Sequence, residues 1–147
     1  MPEKQENTLC VLAIGEFSAD RLLLHDICHQ SGWRLTEARD RRHAMKVLER
    51  KSIQVVIAES ELPNWDWKKV LSDLRRLAQP PQLIVTSRTA DDYLWAEVLN
   101  IGGYDVLPQP LARDEVERVV AAARRQYRPA PRPVQSALGP ATAAALA

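Results

Sequence analysis

Residues 54–67 have the sequence QVVIAESELPNWDW, in which an apolar run ends on a carboxylate and a proline turn follows. The run is typical of a strand that is buried on both faces, and Glu59 stands at its end. An unpaired carboxylate in apolar surroundings is costly, so a buried position for Glu59 is unfavourable. We therefore expect Glu59 at the carboxyl end of a strand, where functional groups of parallel sheets collect.

Strand and helix patterns alternate on both sides of this stretch. Five short runs rich in β-branched residues occupy residues 9–14, 33–38, 53–59, 82–87 and 104–107. Helical periodicity follows each run, with Asp40 as an N-cap and further helices beginning near Asp66 and Asp91. Five βα units within about 120 residues predict a parallel sheet with helices on both faces and right-handed crossovers.

Polar residues stand just where four of the predicted strands end. They are Glu16, Glu59, Thr86 and Gln109, and Glu61 follows two residues after Glu59. The carboxyl ends of parallel strands meet at one edge of the sheet, so these side chains are expected to form a single site.

Four stretches stand in a distinctive order on this frame: AIGEFSADR, VVIAESELP, LIVTSR and IGGYDVLPQPL. In their order and spacing the chain resembles response-regulator receiver domains, the phospho-acceptor modules of two-component signalling, over residues 8–127. The resemblance implies a flavodoxin-like α/β fold, a three-layer (βα)5 sandwich whose parallel five-stranded sheet has the order 2-1-3-4-5. It also implies a signalling module of the two-component and phosphorelay type rather than an enzyme.

The resemblance also assigns roles to residues, and this chain departs from most of them. The matching positions are Gly15 and Glu16 for the acidic pair, Glu59 for the acceptor Asp, Thr86 and Gln109 for the Thr and Lys that clamp the phosphoryl group, and Val106 for the aromatic switch. One carboxylate of the pair and the clamping cation are therefore absent, and the acceptor is one methylene longer.

These departures disfavour phosphoryl transfer, which depends on positioning and on neutralising charge. A misplacement of ~1 Å can cost ~100-fold in rate, and a lost donor or cation costs more. We expect a pseudo-receiver that acts by phosphorylation-independent protein–protein interaction. The first alternative is a working phosphorelay receiver that accepts phosphate on Glu59. The second is a flavin- or nucleotide-binding enzyme on the same fold, although GEFSAD lacks a glycine-rich phosphate loop.

The predicted pocket is acidic, so a counter-ion is expected in it. Arg88 is the nearest candidate to balance Glu16 and Glu59. A weakly bound Mg²⁺ held by Glu16 and Glu59, with Glu61 close by, is the alternative, because hard cations prefer several oxygen ligands. No other cofactor is expected.

Aromatic and apolar side chains indicate where a partner docks. Tyr93, Trp95 and Leu99 of the fourth helix are left for the outer surface once its core face is assigned. The resemblance implies that a signalling protein, or a second copy of the chain, binds through helix 4, strand 5 and helix 5. Trp65 and Trp67 stand beside the pocket, where they either cover it or pack under the third helix.

The composition of the chain limits the classes of partner and the cellular compartment that are expected. The 147 residues include 20 basic and 19 acidic side chains, a net charge of +1, so no overall field favours nucleic acid or an acidic membrane. The basic runs lack interleaved aromatics and are interpreted as solvated faces. The N-terminus lacks the apolar core of a signal peptide and no run has membrane-spanning length, so a cytoplasmic protein is expected.

Domain boundaries follow from the same composition. Residues 1–7 are polar and are expected to be disordered, and residues 8–127 form the receiver-like domain. Residues 128–147 hold four of the ten prolines and many alanines, so they are expected to be a linker or tail.

Overall fold

The computed structural model of the chain describes residues 8–129, in which five strands and five helices alternate. The strands are β1 (Cys10–Ile14), β2 (Arg34–Ala38), β3 (Val55–Glu59), β4 (Gln82–Ser87) and β5 (Asp105–Pro108). The helices are α1 (Arg21–Ser31), α2 (Arg41–Arg50), α3 (Trp67–Arg75), α4 (Asp92–Ile101) and α5 (Arg113–Gln126). The expectations for residues 1–7, and for the tail from residue 130 onward, lie outside the described residues.

The sheet has the predicted topology: all its strands are parallel and their order is β2-β1-β3-β4-β5. Ile14 at the end of β1 pairs with Ala58 of β3, and Glu59 pairs with Thr86 of β4. The carboxyl ends of these three strands therefore lie side by side. The register alone brings Glu59 next to Thr86, as the sequence predicts.

Helices cover both faces of the sheet, and each face has its own apolar core. Val56 and Ala58 of β3 face the core that α2, α3 and α4 complete, whereas Val55 and Ile57 face the core completed by α1 and α5. This two-sided burial explains why β3 is continuously apolar up to Glu59. Among the described residues, none of the helices combines the length and the apolar character needed to cross a bilayer.

The helices on one face begin where the sequence predicts. Asp40, Asp66 and Asp91 each accept a hydrogen bond from the backbone N–H three residues further on, at 2.9–3.0 Å, and so cap α2, α3 and α4. These caps fix the loops that leave β2, β3 and β4 at the carboxyl edge of the sheet. The same edge carries the polar residues of the predicted site.

Trp65 and Trp67 pack under α3 rather than cover the edge of the sheet. Both are buried, with 3% and 5% of their surface exposed. The indole N–H of Trp65 donates to Asp73 at 2.8 Å, and Arg41 binds the same carboxylate at 2.8 Å. The hydrogen bond from Arg41 holds the pKa of Asp73 below its ordinary value. Trp65 is therefore fixed by a polar contact as well as by packing.

Candidate functional site

A cavity of about 460 Å³ opens at the carboxyl edge of the sheet. The residues of the predicted site that line it are Gly15, Glu16, Glu59, Glu61, Thr86, Arg88 and Gln109. The structure thus brings together residues from the ends of β1, β3, β4 and β5. Val106 does not line this cavity, because it is buried in the core under α4.

The carboxylate of Glu59 is hydrogen-bonded within the protein. Its Oε1 accepts from the backbone N–H of Glu16 at 3.0 Å, and its Oε2 accepts from the backbone N–H of Phe17 at 3.3 Å. The amide Nε2 of Gln109 donates to Oε2 at 3.3 Å. Both oxygens are therefore engaged by neutral donors, which satisfy a partly buried carboxylate without a cation.

Gly15 provides the space that the Glu59 side chain occupies. A Cβ atom on residue 15 would lie 2.3 Å from Glu59 Oε1 and within 2.8 Å of Glu59 Cγ. Gly15 also has a φ of +135°, which other residues rarely adopt. A side chain at position 15 and the Glu59 side chain could not both occupy this space, so the two departures from the family pattern fit each other.

The hydroxyl of Thr86 is hydrogen-bonded to the main chain of a neighbouring strand. Thr86 is fully buried, and its Oγ1 donates to the carbonyl oxygen of Leu107 at 2.7 Å. Val106, in the next strand, brings no polar group to this region. Thr86, to which the resemblance assigns a part in the phosphoryl clamp, therefore holds β4 to β5.

Arg88 lines the cavity but makes no direct ion pair with its acids. Neither Arg88 nor a second cavity residue, Arg39, forms an ion pair with an acid of residues 8–129. The predicted bridge from Arg88 to Glu16 and Glu59 is not formed, because Glu59 takes its hydrogen bonds from backbone N–H groups and Gln109; the role of Arg88 as a counter-ion of the cavity stays a prediction. Arg39 was missed, although its place directly after β2 was a usable signal.

The residues of the cavity do not fit a Mg²⁺ ion. A hard cation needs several oxygen ligands, but Gly15 supplies no side-chain oxygen and both oxygens of Glu59 already accept hydrogen bonds. Of the acids that line the cavity, the exposed Glu16 and Glu61 are left as possible ligands. Within residues 8–129, no cluster of three or more acidic, histidine or cysteine side chains is placed to hold a metal ion.

Two of the three predicted partner-binding residues are on the outer surface of α4. Tyr93 is 81% exposed and Leu99 is 50% exposed. Trp95 is instead partly buried against the core, and its indole N–H donates to Asp105 at 2.8 Å. The prediction of an outward-facing Trp95 is therefore corrected: its polar partner on β5 lets it pack inward.

Comparisons with known proteins concern the family and the fold of the chain. The family described as response regulator receiver domain matches residues 11–121. None of the curated protein sequences compared with the chain matches it.

Solved structures of low sequence identity share the fold. The signal receiver domain of an HD domain-containing protein from Pseudomonas fluorescens Pf-5 is 21% identical, with a TM-score of 0.71, over 81% of this chain and 96% of that chain. The Francisella response regulator 1452 receiver domain is 23% identical, with a TM-score of 0.66, over 81% and 99%. A response regulator receiver domain protein from Clostridium thermocellum is 16% identical, with a TM-score of 0.70, over 80% and 95%.

Proposed function

The chain belongs to the response regulator receiver domain family, and from that premise we propose that it is a pseudo-receiver, which signals by protein contact without being phosphorylated. Family members are signalling modules of two-component systems. The observation that supports the proposal is the engagement of both Glu59 oxygens by Glu16, Phe17 and Gln109. An oxygen held in this way is a poor nucleophile, because attack on phosphorus requires breaking its hydrogen bonds and turning the side chain.

The two positions that the resemblance assigns to the phosphoryl clamp also contribute little to the stability of a phosphoryl product. Gln109 is neutral, and the hydroxyl of Thr86 is bonded to Leu107. Charge that develops on the phosphoryl oxygens would meet no lysine at position 109, and such stabilisation is usually the largest catalytic contribution. The flavin- or nucleotide-binding alternative is disfavoured by the same loop, since Glu59 already occupies two backbone N–H groups that a ligand phosphate would need.

We expect no phosphorylation when the full chain is incubated with Mg²⁺ and acetyl phosphate. Intact-mass measurement should show no added phosphoryl group, because the nucleophile is hydrogen-bonded and the cationic clamp is missing. A receiver that keeps its acceptor Asp, treated in parallel, shows that the reagent is active. A phosphoryl gain that disappears in Glu59→Gln would refute the proposal and establish the phosphorelay alternative.

We place the partner-binding surface at α4 and the neighbouring edge strand β5, with α5 beside it. Tyr93 and Leu99 are large apolar side chains exposed on α4. Exposed aromatic residues are frequent anchors of protein interfaces. A signalling protein is the proposed occupant, and pairing with a second copy of the chain is the alternative.

Tyr93→Ala is expected to weaken binding of the signalling partner at least ~10-fold, the typical cost of an interface aromatic. Partners are first identified by capture on the full chain, and their affinities for purified variants are then measured. Leu22→Ala is the matched control, because Leu22 is equally exposed, at 83%, but lies on α1 across the sheet. Equal effects of the two variants would rule out the α4 surface, and concentration-dependent light scattering would detect pairing of two copies.

A further inference from the structure

The loop between β1 and α1 is shaped to bind an anion. The successive backbone N–H groups of Glu16 and Phe17 both point at one carboxylate, at 3.0 and 3.3 Å. Phe17 has a φ of +50°, and its side chain is buried with 2% of its surface exposed, so the core holds the loop in this conformation. Successive N–H groups that converge in this way form a concave anion site. The shape belongs to the loop, whichever group supplies the negative charge.

Glu59 meets the geometric needs of this site from within the chain. Its extra methylene extends the carboxylate by roughly one C–C bond, ~1.5 Å, beyond the reach of an Asp. Gly15 leaves open the path that the side chain takes, since any Cβ there would overlap Glu59 Oε1. Gln109 adds a third donor at 3.3 Å. The residues at positions 15, 59 and 109 therefore all favour one bound carboxylate.

We infer that the β1–α1 loop is a carboxylate-binding site and that Glu59 is its built-in ligand; this assignment rests on the proposed function, because a phosphorylated Glu59 could not remain between these donors. The bound carboxylate replaces the metal ion that the residues of the cavity do not fit. It ties the end of β3 to the β1–α1 loop through the main chain of residues 16 and 17. The loop is therefore held in one conformation without an ion or a phosphoryl group.

Chemical rescue tests this assignment directly. Glu59→Ala removes a methylene and a carboxylate, which are the atoms of acetate, and leaves the donors of the loop in place. We expect the melting temperature of the full chain to fall by ~5–10 °C in Glu59→Ala. Sodium acetate at ~200 mM should then raise it by ~3–5 °C relative to sodium chloride at the same ionic strength, as expected for weak binding to the folded state. The amide resonances of Glu16 and Phe17 should move as acetate is added.

Glu61→Ala is the matched control, because Glu61 lines the same cavity but is exposed, and the N–H groups of Glu16 and Phe17 donate to Glu59 instead. Acetate should affect it no more than it affects the unmodified chain. A difference between acetate and chloride that is equal in all three proteins would overturn the assignment. Unmoved amide resonances of Glu16 and Phe17 in Glu59→Ala would overturn it as well.

A second variant decides the question if Glu59→Ala does not fold in either salt. Glu59→Gln keeps the shape of the side chain but removes its charge, so the amide protons of Glu16 and Phe17 should move upfield as their hydrogen bonds weaken. Unchanged amide protons would show that no carboxylate is bound there. The two failures are distinguishable: a phosphoryl gain with acetyl phosphate refutes the pseudo-receiver, whereas absence of acetate rescue without a phosphoryl gain overturns the carboxylate site and leaves Glu59 unphosphorylated.

Discussion

Gly15→Ala is expected to destabilise the domain by about 3 kcal/mol, through backbone strain and loss of hydrogen bonds to a charged group. A Cβ atom on residue 15 overlaps the Glu59 carboxylate, and φ there is +135°. The Glu59 side chain must then leave the N–H groups of Glu16 and Phe17. Urea unfolding followed by far-UV circular dichroism measures the loss, with the slope of the transition checked for two-state behaviour.

A double-mutant cycle separates the two causes of this loss. Glu59→Ala alone should cost about 2 kcal/mol, but it should cost little in the Gly15→Ala background, where the carboxylate is already displaced. The expected interaction energy is therefore about 2 kcal/mol. Gly32→Ala is the control, because Gly32 also has a positive φ of +75° but nothing lies near its Cβ position. Its cost should add to that of Glu59→Ala; additive costs for Gly15→Ala as well would show that the two residues do not share the space.

Much of the fold could be predicted because its determinants are local in the sequence. Asp40, Asp66 and Asp91 cap helices with their own side chains, and each needs only the N–H three residues later. The apolar run of β3 predicts a strand covered on both faces, and its last residue must then emerge at the edge of the sheet. The position of Glu59 in the candidate site follows from these two facts alone.

The contacts inside the site could not be predicted, because most of their partners are main-chain atoms. The N–H groups that bind Glu59 belong to residues 16 and 17, and the acceptor of Thr86 is the carbonyl of Leu107. Every residue except proline carries the same main-chain N–H and C=O groups, so the residue types do not reveal which of these groups bind a side chain. Arg88 illustrates the result: its charge suggested a bridge to the acids, but the Glu59 carboxylate accepts from backbone N–H groups and Gln109.

Burial of aromatic residues was equally hard to predict, because it depends on contacts with residues of other helices and strands. Trp95 turns inward since Asp105, on the neighbouring strand, accepts its N–H. Trp67 is the first residue of α3 after the Asp66 cap, and this position left both covering and packing open. Its side chain is 5% exposed and lies in the core, so it packs under α3 and does not cover the cavity. The loss of stability on removing it can therefore be estimated.

Trp67→Ala is expected to lower the free energy of unfolding by about 4 kcal/mol, since removing a buried indole leaves a cavity under α3. Net stabilities of domains are about 5–15 kcal/mol, so the variant should be close to its unfolding limit at room temperature. Urea unfolding measures the loss, and Leu22→Ala, at an 83% exposed site, should change stability by less than about 0.5 kcal/mol. Because Trp67 does not line the main cavity, acetyl phosphate should still add no phosphoryl group to folded Trp67→Ala. A small stability loss accompanied by labelling of Glu59 would instead mean that the indole shields the carboxylate.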